Sequence, residues 1–210
     1  MHPFLDQIGF LTPDDKVFLG EMFVRFPRVQ KGFETFAAIE PSARPDVAID
    51  ALKDEMRAGW ARIGIPLDDV QNVFEHHAAC QNLARFLKQS DKMVAMAGVH
   101  DMTEAVVSDF TPFDDISTAE KNRLETLAIH LITEDKARYQ NIFDFWMEYE
   151  DCKTCDGKMA HDIDRLEMVM QAQLYETQYP HLTDKLQEFW TYSEKKIHTA
   201  TLCGVSLRFV

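Results

Sequence analysis

KMVAMAGVHDMTEAVV, residues 92–107, is apolar on nearly every face when wound as a helix, which predicts a helix buried inside a domain rather than laid across its surface. His100 and Asp101 stand side by side within it. Neither can be buried alone, because an uncompensated charge in an apolar interior is too costly. A buried ion pair would satisfy them, and so would a bound metal ion. Glu104 follows four residues after His100 and three after Asp101, so all three side chains can share one side of a helix.

Further ligand-type residues lie on both sides of this stretch. Upstream, HHAACQNLARFL (76–87) carries His76, Cys80, Leu83 and Leu87 on one stripe, which turns His76 inward. His77, rotated about 100° further round, falls toward Gln81 and Lys88 on the expected wetter side. Downstream, Asp162 and Asp164 sit in a helix that is apolar on more than one face, so periodicity does not choose between them. Two histidines and two aspartates offer a mixed nitrogen and oxygen set for one divalent cation. Imidazole suits Mn, Co, Fe, Zn or Ni, and carboxylate shifts the balance toward harder ions such as Mg.

The rest of the chain reads as helices joined by short breaks. Thr12 followed by Pro13, Asp14 and Asp15 is a helix start with a cap, an early proline and early acids. PSARP (41–45) is the clearest break, and a helix is expected over 46–62. IGIPLDD (63–69) reads as a loop, Ser90 and Asp91 can cap the buried helix, and TPFDDIS (111–117) reads as a turn before a helix reaching 132. Another helix is expected over 134–150, then a loop over 151–157 and a helix bearing Asp164 that Pro180 ends. The fold class is all-α, a helical bundle.

Composition limits the function. A chain of 210 residues is long enough for one domain with a real core. Its formal net charge of −13 argues against a general nucleic-acid binder, because phosphate backbones would be repelled. A small nucleotide remains admissible, since a metal and a few basic side chains reverse the field locally. No apolar run is long enough to span a bilayer, so no membrane association is expected. The start, MHPFLDQIGF, lacks the basic and apolar regions of a secretory signal. Four scattered cysteines make no disulfide framework, and a cytoplasmic location is expected. Cys152 and Cys155 form a CxxC with no second pair to complete a structural zinc site. His130 reads as a packed or partly exposed helix residue rather than a metal ligand. Phe18, Phe23, Phe26, Phe33 and Phe36 read as core or as a dimer interface, and a homodimer is expected.

EHH (75–77), HDMTE (100–104), SDFTP (108–112) and IDRLEM (163–168) together resemble the ordered motifs of HD-domain phosphohydrolases, in their 5′-deoxynucleotidase branch. RAGW (57–60), AEKNR (119–123), WMEYE (146–150) and MVMQAQLYE (168–176) extend the resemblance from about residue 52 to about 198. It implies an HD-domain helical bundle over 46–210 with an added N-terminal helical segment over 1–45. It implies His76, His100, Asp101 and Asp164 as ligands of one divalent metal, placing Asp164 rather than Asp162 in the set. It casts Glu104 as the catalytic group that positions water or relays a proton, with Asp109 beside it. Trp60 and the turn of Asp109, Phe110, Thr111 and Pro112 would bind the sugar, and Arg57 the phosphate. Bacterial members carry an arginine directly before the tryptophan, where this chain has Gly59, which makes Arg62 a second candidate. Lys121 and Lys158 also match the branch.

The implied activity is release of phosphate from deoxyribonucleoside 5′-monophosphates, with a small-molecule nucleotide as partner rather than a nucleic acid polymer. Alternatives are action on another phosphate ester, a dinuclear-iron HD oxygenase, and a non-catalytic nucleotide-binding HD protein. The oxygenase class uses extra histidines between the HD pair and the last aspartate. Here that interval holds only His130 and His161, in no matching motif.

Overall fold

The computed structural model describes residues 2–194, 196 and 197. Among them the secondary structure is helical, apart from an isolated antiparallel bridge between Met56 and Asn72. In chain order the α-helices are α1 (Pro13–Arg25), α2 (Pro27–Ala37), α3 (Arg44–Ala51), α4 (Ala58–Ile63), α5 (Val73–Phe86) and α6 (Asp91–Ala97). They continue as α7 (Glu104–Val107), α8 (Thr118–Ile132), α9 (Lys136–Asp151), α10 (Cys155–Gln178) and α11 (Thr183–Glu194). Short 3-10 turns lie at Pro3–Gln7, Leu67–Asp69 and Pro180–Leu182.

Local sequence explains most of the starts. Thr12 and Asp15 close a reciprocal capping box on α1, and Ser117 and Glu120 do the same on α8. Ser90 caps α6 and Thr154 caps α10 by accepting from backbone amides three residues on.

The structure corrects two expected helices. Residues 92–107 do not form one helix: α6 stops at Ala97, the chain turns, and α7 begins at Glu104. The Ala97 carbonyl, which a continued helix would give to a later amide, faces His100 Nδ1 at 3.0 Å instead. His100, Met102, Thr103 and Glu104 are buried, while Asp101 is half-buried. The helix expected over 46–62 is likewise two pieces, α3 and α4. The Leu52 and Glu55 carbonyls accept from the amides of Phe74 and Val73, so tertiary pairing takes the hydrogen bonds a helix would need.

The chain divides into two compact units. The first contains the chain up to Ala58, Asn72–Phe74 and Asp101–Phe143. Its core holds Phe23, Phe33 and Phe36, so these aromatics of the N-terminal stretch pack inward. There α2 lies on α7 so closely that a Cβ on Gly32 would run into the Val106 carbonyl.

The second unit contains Gly59–Gln71, Glu75–His100 and the chain from Asp144 onward. One apolar cluster joins α5, α6, α9 and α10 through Cys80, Ala84, Met93, Met96, Tyr149 and Ile163. Another gathers Trp60, Ile63, Val70, Tyr175 and Leu186 from α4, the following loop, α10 and α11. Helix α9 starts in the first unit, is kinked at Tyr139, and ends in the second.

Candidate metal centre and catalytic cluster

Three of the expected ligands converge inside the second unit. His76, on α5, is fully buried. Its Nε2 lies 3.2 Å from Nε2 of His100 and 3.1 Å from Oδ1 of Asp164, on α10. The partners of the other ring nitrogens favour one tautomer for each neutral ring. His100 Nδ1 faces the Ala97 carbonyl, which can only accept, so Nδ1 carries the hydrogen and Nε2 of the neutral ring carries a lone pair. His76 Nδ1 lies 2.5 Å from Oε2 of Glu167, and in the neutral ring donation to that carboxylate leaves Nε2 as the acceptor. In these tautomers two imidazole nitrogens and a carboxylate oxygen face one another. A cation resolves that arrangement, and the donor set fits a divalent metal. The other oxygen of Asp164 accepts from the Tyr149 hydroxyl at 3.1 Å, and His161 stacks on Tyr149 at a centroid distance of 4.0 Å.

Cys80 also borders this group, with ligand atoms of His76, Cys80 and His100 within 4.8 Å of one another. Its Sγ is 3.7 and 3.8 Å from the two ring nitrogens of His76, so it lies over the ring rather than along the Nε2 lone pair. Burial pushes its thiol up to about 11. Cys80 serves better as packing than as a donor. His77, expected on the wetter side, is buried, with its ring 4.7 Å from that of His100. Periodicity misplaced it because α5 is covered on more than one face. Asp162 pairs with Arg165 at 3.3 Å.

The first unit carries a cluster of acids and cations. Asp101, the residue after His100, pairs with Arg57 at 3.3 Å. Glu104 is buried, and its Oε2 has no hydrogen-bond partner among the described residues. Burial pushes its carboxyl well above the usual range, and Asp109 and Asp101 add to the shift against the opposing fields of Arg57 and Lys121. Lys121 pairs with Glu125 at 2.7 Å. Burial works against its ammonium, but Glu125, Glu104 and Asp101 outweigh it and raise its pKa. Asp109 accepts from the Ala58 amide at 2.7 Å and donates its own amide to Glu55 at 3.0 Å, which ties the turn at 109–112 to the segment bearing Arg57. Phe110 is buried against Phe26, Thr111 bonds Asp114, and Pro112 is exposed.

Residues 49–202 match the family model described as HD domain. The chain belongs to the HD-domain family. A relative named 5′-deoxynucleotidase HDDC2 from Dictyostelium discoideum is 38% identical, over 75% of this chain and 90% of that protein. The Homo sapiens protein of that name is 30% identical, over 71% of this chain and 75% of its own length. A crystallised Pyrococcus horikoshii protein shares the fold, with a TM-score of 0.60 at 24% identity, covering 75% of this chain and 91% of that one. HD-domain proteins of this branch are metal-dependent phosphohydrolases, and the chain is an enzyme of that class.

Within the HD-domain assignment, the structure places the other expected residues plainly. Trp60 is 1% exposed and packs against Phe189 and Tyr175 in the second unit. Its indole N–H has no partner among the described residues. Arg62, the alternative phosphate contact, pairs with Glu188. His130 lies between Phe10 and Phe143, a packed residue as expected. Residues 1–45 precede the family match. Glu167 and Tyr149 were not singled out from sequence. Glu167 had a usable signal, because it follows Asp164 by three residues and so shares its helix face.

Proposed function

We propose that the chain hydrolyses deoxyribonucleoside 5′-monophosphates to deoxynucleoside and phosphate, using one divalent metal held by His76, His100, Asp101 and Asp164. The convergence of His76, His100 and Asp164 lone pairs carries the reading, and the names of the relatives supply the substrate class. A metal ion held there supplies Lewis acidity toward a phosphoryl oxygen and toward water.

The chain's own groups do the rest. Glu104 is buried with a raised pKa, so its carboxylate form is a stronger base than an ordinary one; in that form it would take a proton from water and return it to the leaving sugar oxygen. Arg57 offers a guanidinium to phosphate, with Asp109 anchoring the backbone beside it. Trp60 and the turn at 109–112 form the sugar side in this reading. No base-reading motif is visible, so little selection among bases is expected. A cytoplasmic location and a homodimer complete the proposal; static light scattering of the purified chain measures the second.

The test is a panel of matched deoxy and ribo monophosphates on metal-stripped protein, with single metals added back. A pocket that leaves the 2′-hydroxyl without a partner costs the ribose form about 1–3 kcal/mol, or roughly ten- to a hundredfold in kcat/KM. Equal values for both sugars would refute the deoxynucleotidase reading while leaving a phosphohydrolase.

A further inference from the structure

Both oxygens of the Glu167 carboxylate are engaged inside the second unit. Oε2 faces His76 Nδ1 at 2.5 Å, and Oε1 accepts from Gln71 Nε2 at 2.7 Å. Gln71 is itself held, because its backbone amide donates to the Tyr175 hydroxyl at 2.8 Å, and that hydroxyl donates to the Asp69 carbonyl at 2.8 Å. Gln71, His76 and Glu167 are all buried, so little water competes for these bonds. The carboxylate therefore has one orientation, and so does the imidazole it holds. The two histidines of the centre differ in this respect. His100 is oriented by a neutral backbone carbonyl, His76 by an anion.

We propose that Glu167, braced by Gln71, is a positioning residue that sets the metal affinity of the centre through His76. A carboxylate on Nδ1 holds the hydrogen there, keeps the Nε2 lone pair aimed at the donor cluster, and strengthens that nitrogen as a ligand. Gln71→Leu should then act in the same direction as loss of Glu167, but more weakly, since it only frees the carboxylate to turn. The inference rests on a metal binding at His76 and uses no nucleotide.

The experiment titrates the metal-stripped full chain with Mn2+ against a chromophoric chelator. In parallel, the ring nitrogen shifts of His76 are read by 15N NMR in the metal-free protein. Glu167→Ala is expected to weaken Mn2+ binding about ten- to a hundredfold and to release His76 from the single Nδ1–H tautomer. Glu167→Gln keeps the shape and one acceptor, so it should preserve the tautomer with a smaller loss of affinity, and it covers the case in which the alanine variant fails to fold. Wild-type Mn2+ affinity in Glu167→Gln, together with wild-type affinity in Glu167→Ala or Gln71→Leu, would overturn the proposal. Absence of phosphatase activity with Mn2+ binding intact would count against the substrate reading alone. A wild-type chain that takes up no divalent ion would overturn both.

Discussion

Asp162 and Asp164 lie two residues apart on α10 and meet different partners. Asp164 faces His76 and Tyr149, whereas Asp162 pairs with Arg165. Asp164→Ala, His76→Ala and His100→Ala should each lose bound metal and phosphate release, while Asp162→Ala keeps most of both. Elemental analysis of the purified variants decides, and a metal-free Asp162→Ala beside a loaded Asp164→Ala would reverse the assignment. Glu104 calls for a different separation. With the proposed role in proton transfer, Glu104→Ala should keep metal and substrate affinity while kcat falls about a hundred- to ten-thousandfold. Equal loss of metal occupancy and kcat would make it a ligand instead. Its raised pKa also has a sign for stability. The folded state binds the Glu104 proton more tightly than the unfolded chain, so this contribution is complete at acidic pH and is lost as pH rises through the elevated value. Metal-free Glu104→Gln should therefore gain in Tm over wild type as pH goes from mildly acidic to mildly alkaline. A constant difference across that range would count against the buried acid.

Between residues and whole chain stand the helices, and the breaks among them matter as much as the helices do. The turn from Ala97 to Glu104 lets a proposed metal ligand, His100, and a buried acid, Glu104, come from one short segment. Ser108, just past α7, is held at φ 65° and ψ 163°, a region that side-chain-bearing residues avoid. It directly precedes Asp109, so strain is stored beside a proposed substrate-binding turn. Close packing of α2 on α7 supports the same segment. Gly32→Ala would drive a methyl group into the Val106 carbonyl and should cost about 1–3 kcal/mol in urea denaturation. A neutral result would mean that α2 can withdraw without loss.

At the scale of the whole molecule, metal and fold are linked. A ligand that binds only the folded chain stabilises it by about 2.7 kcal/mol at a hundredfold excess over its Kd. Chelator-stripped protein should gain a clear rise in Tm on adding the preferred divalent ion, and His100→Ala should gain none. Trp60 bears on the same scale. It is a fully buried core residue, and Trp60→Ala should cost about 3–5 kcal/mol, so the milder Trp60→Phe is the better variant for testing sugar selection. A Trp60→Ala chain that unfolds with wild-type Tm would show that the site collapses freely.

The kinds of residue in the centre, and their order along the chain, could be read from the string of amino acids. HD followed by a glutamate three residues on, a histidine upstream and an aspartate downstream form a pattern, and the apolar stretch around HD announced its burial. Helix starts were equally visible, because Thr12, Ser90 and Ser117 cap amides only three residues away. Resemblance points to Asp164 rather than Asp162, and the fold sets the Asp164 carboxylate 3.1 Å from His76. The breaks within 46–62 and 92–107 were hidden, since carbonyls in those segments accept from groups that periodicity does not register. His77 was misjudged because a stripe reports the strongest apolar face and not how many faces are covered. Glu167 and His76 are 91 residues apart. Their bond, and the tautomer it implies, exists because α5 and α10 meet. Periodicity describes one helix at a time, while hydrogen bonds between helices belong to the packed chain.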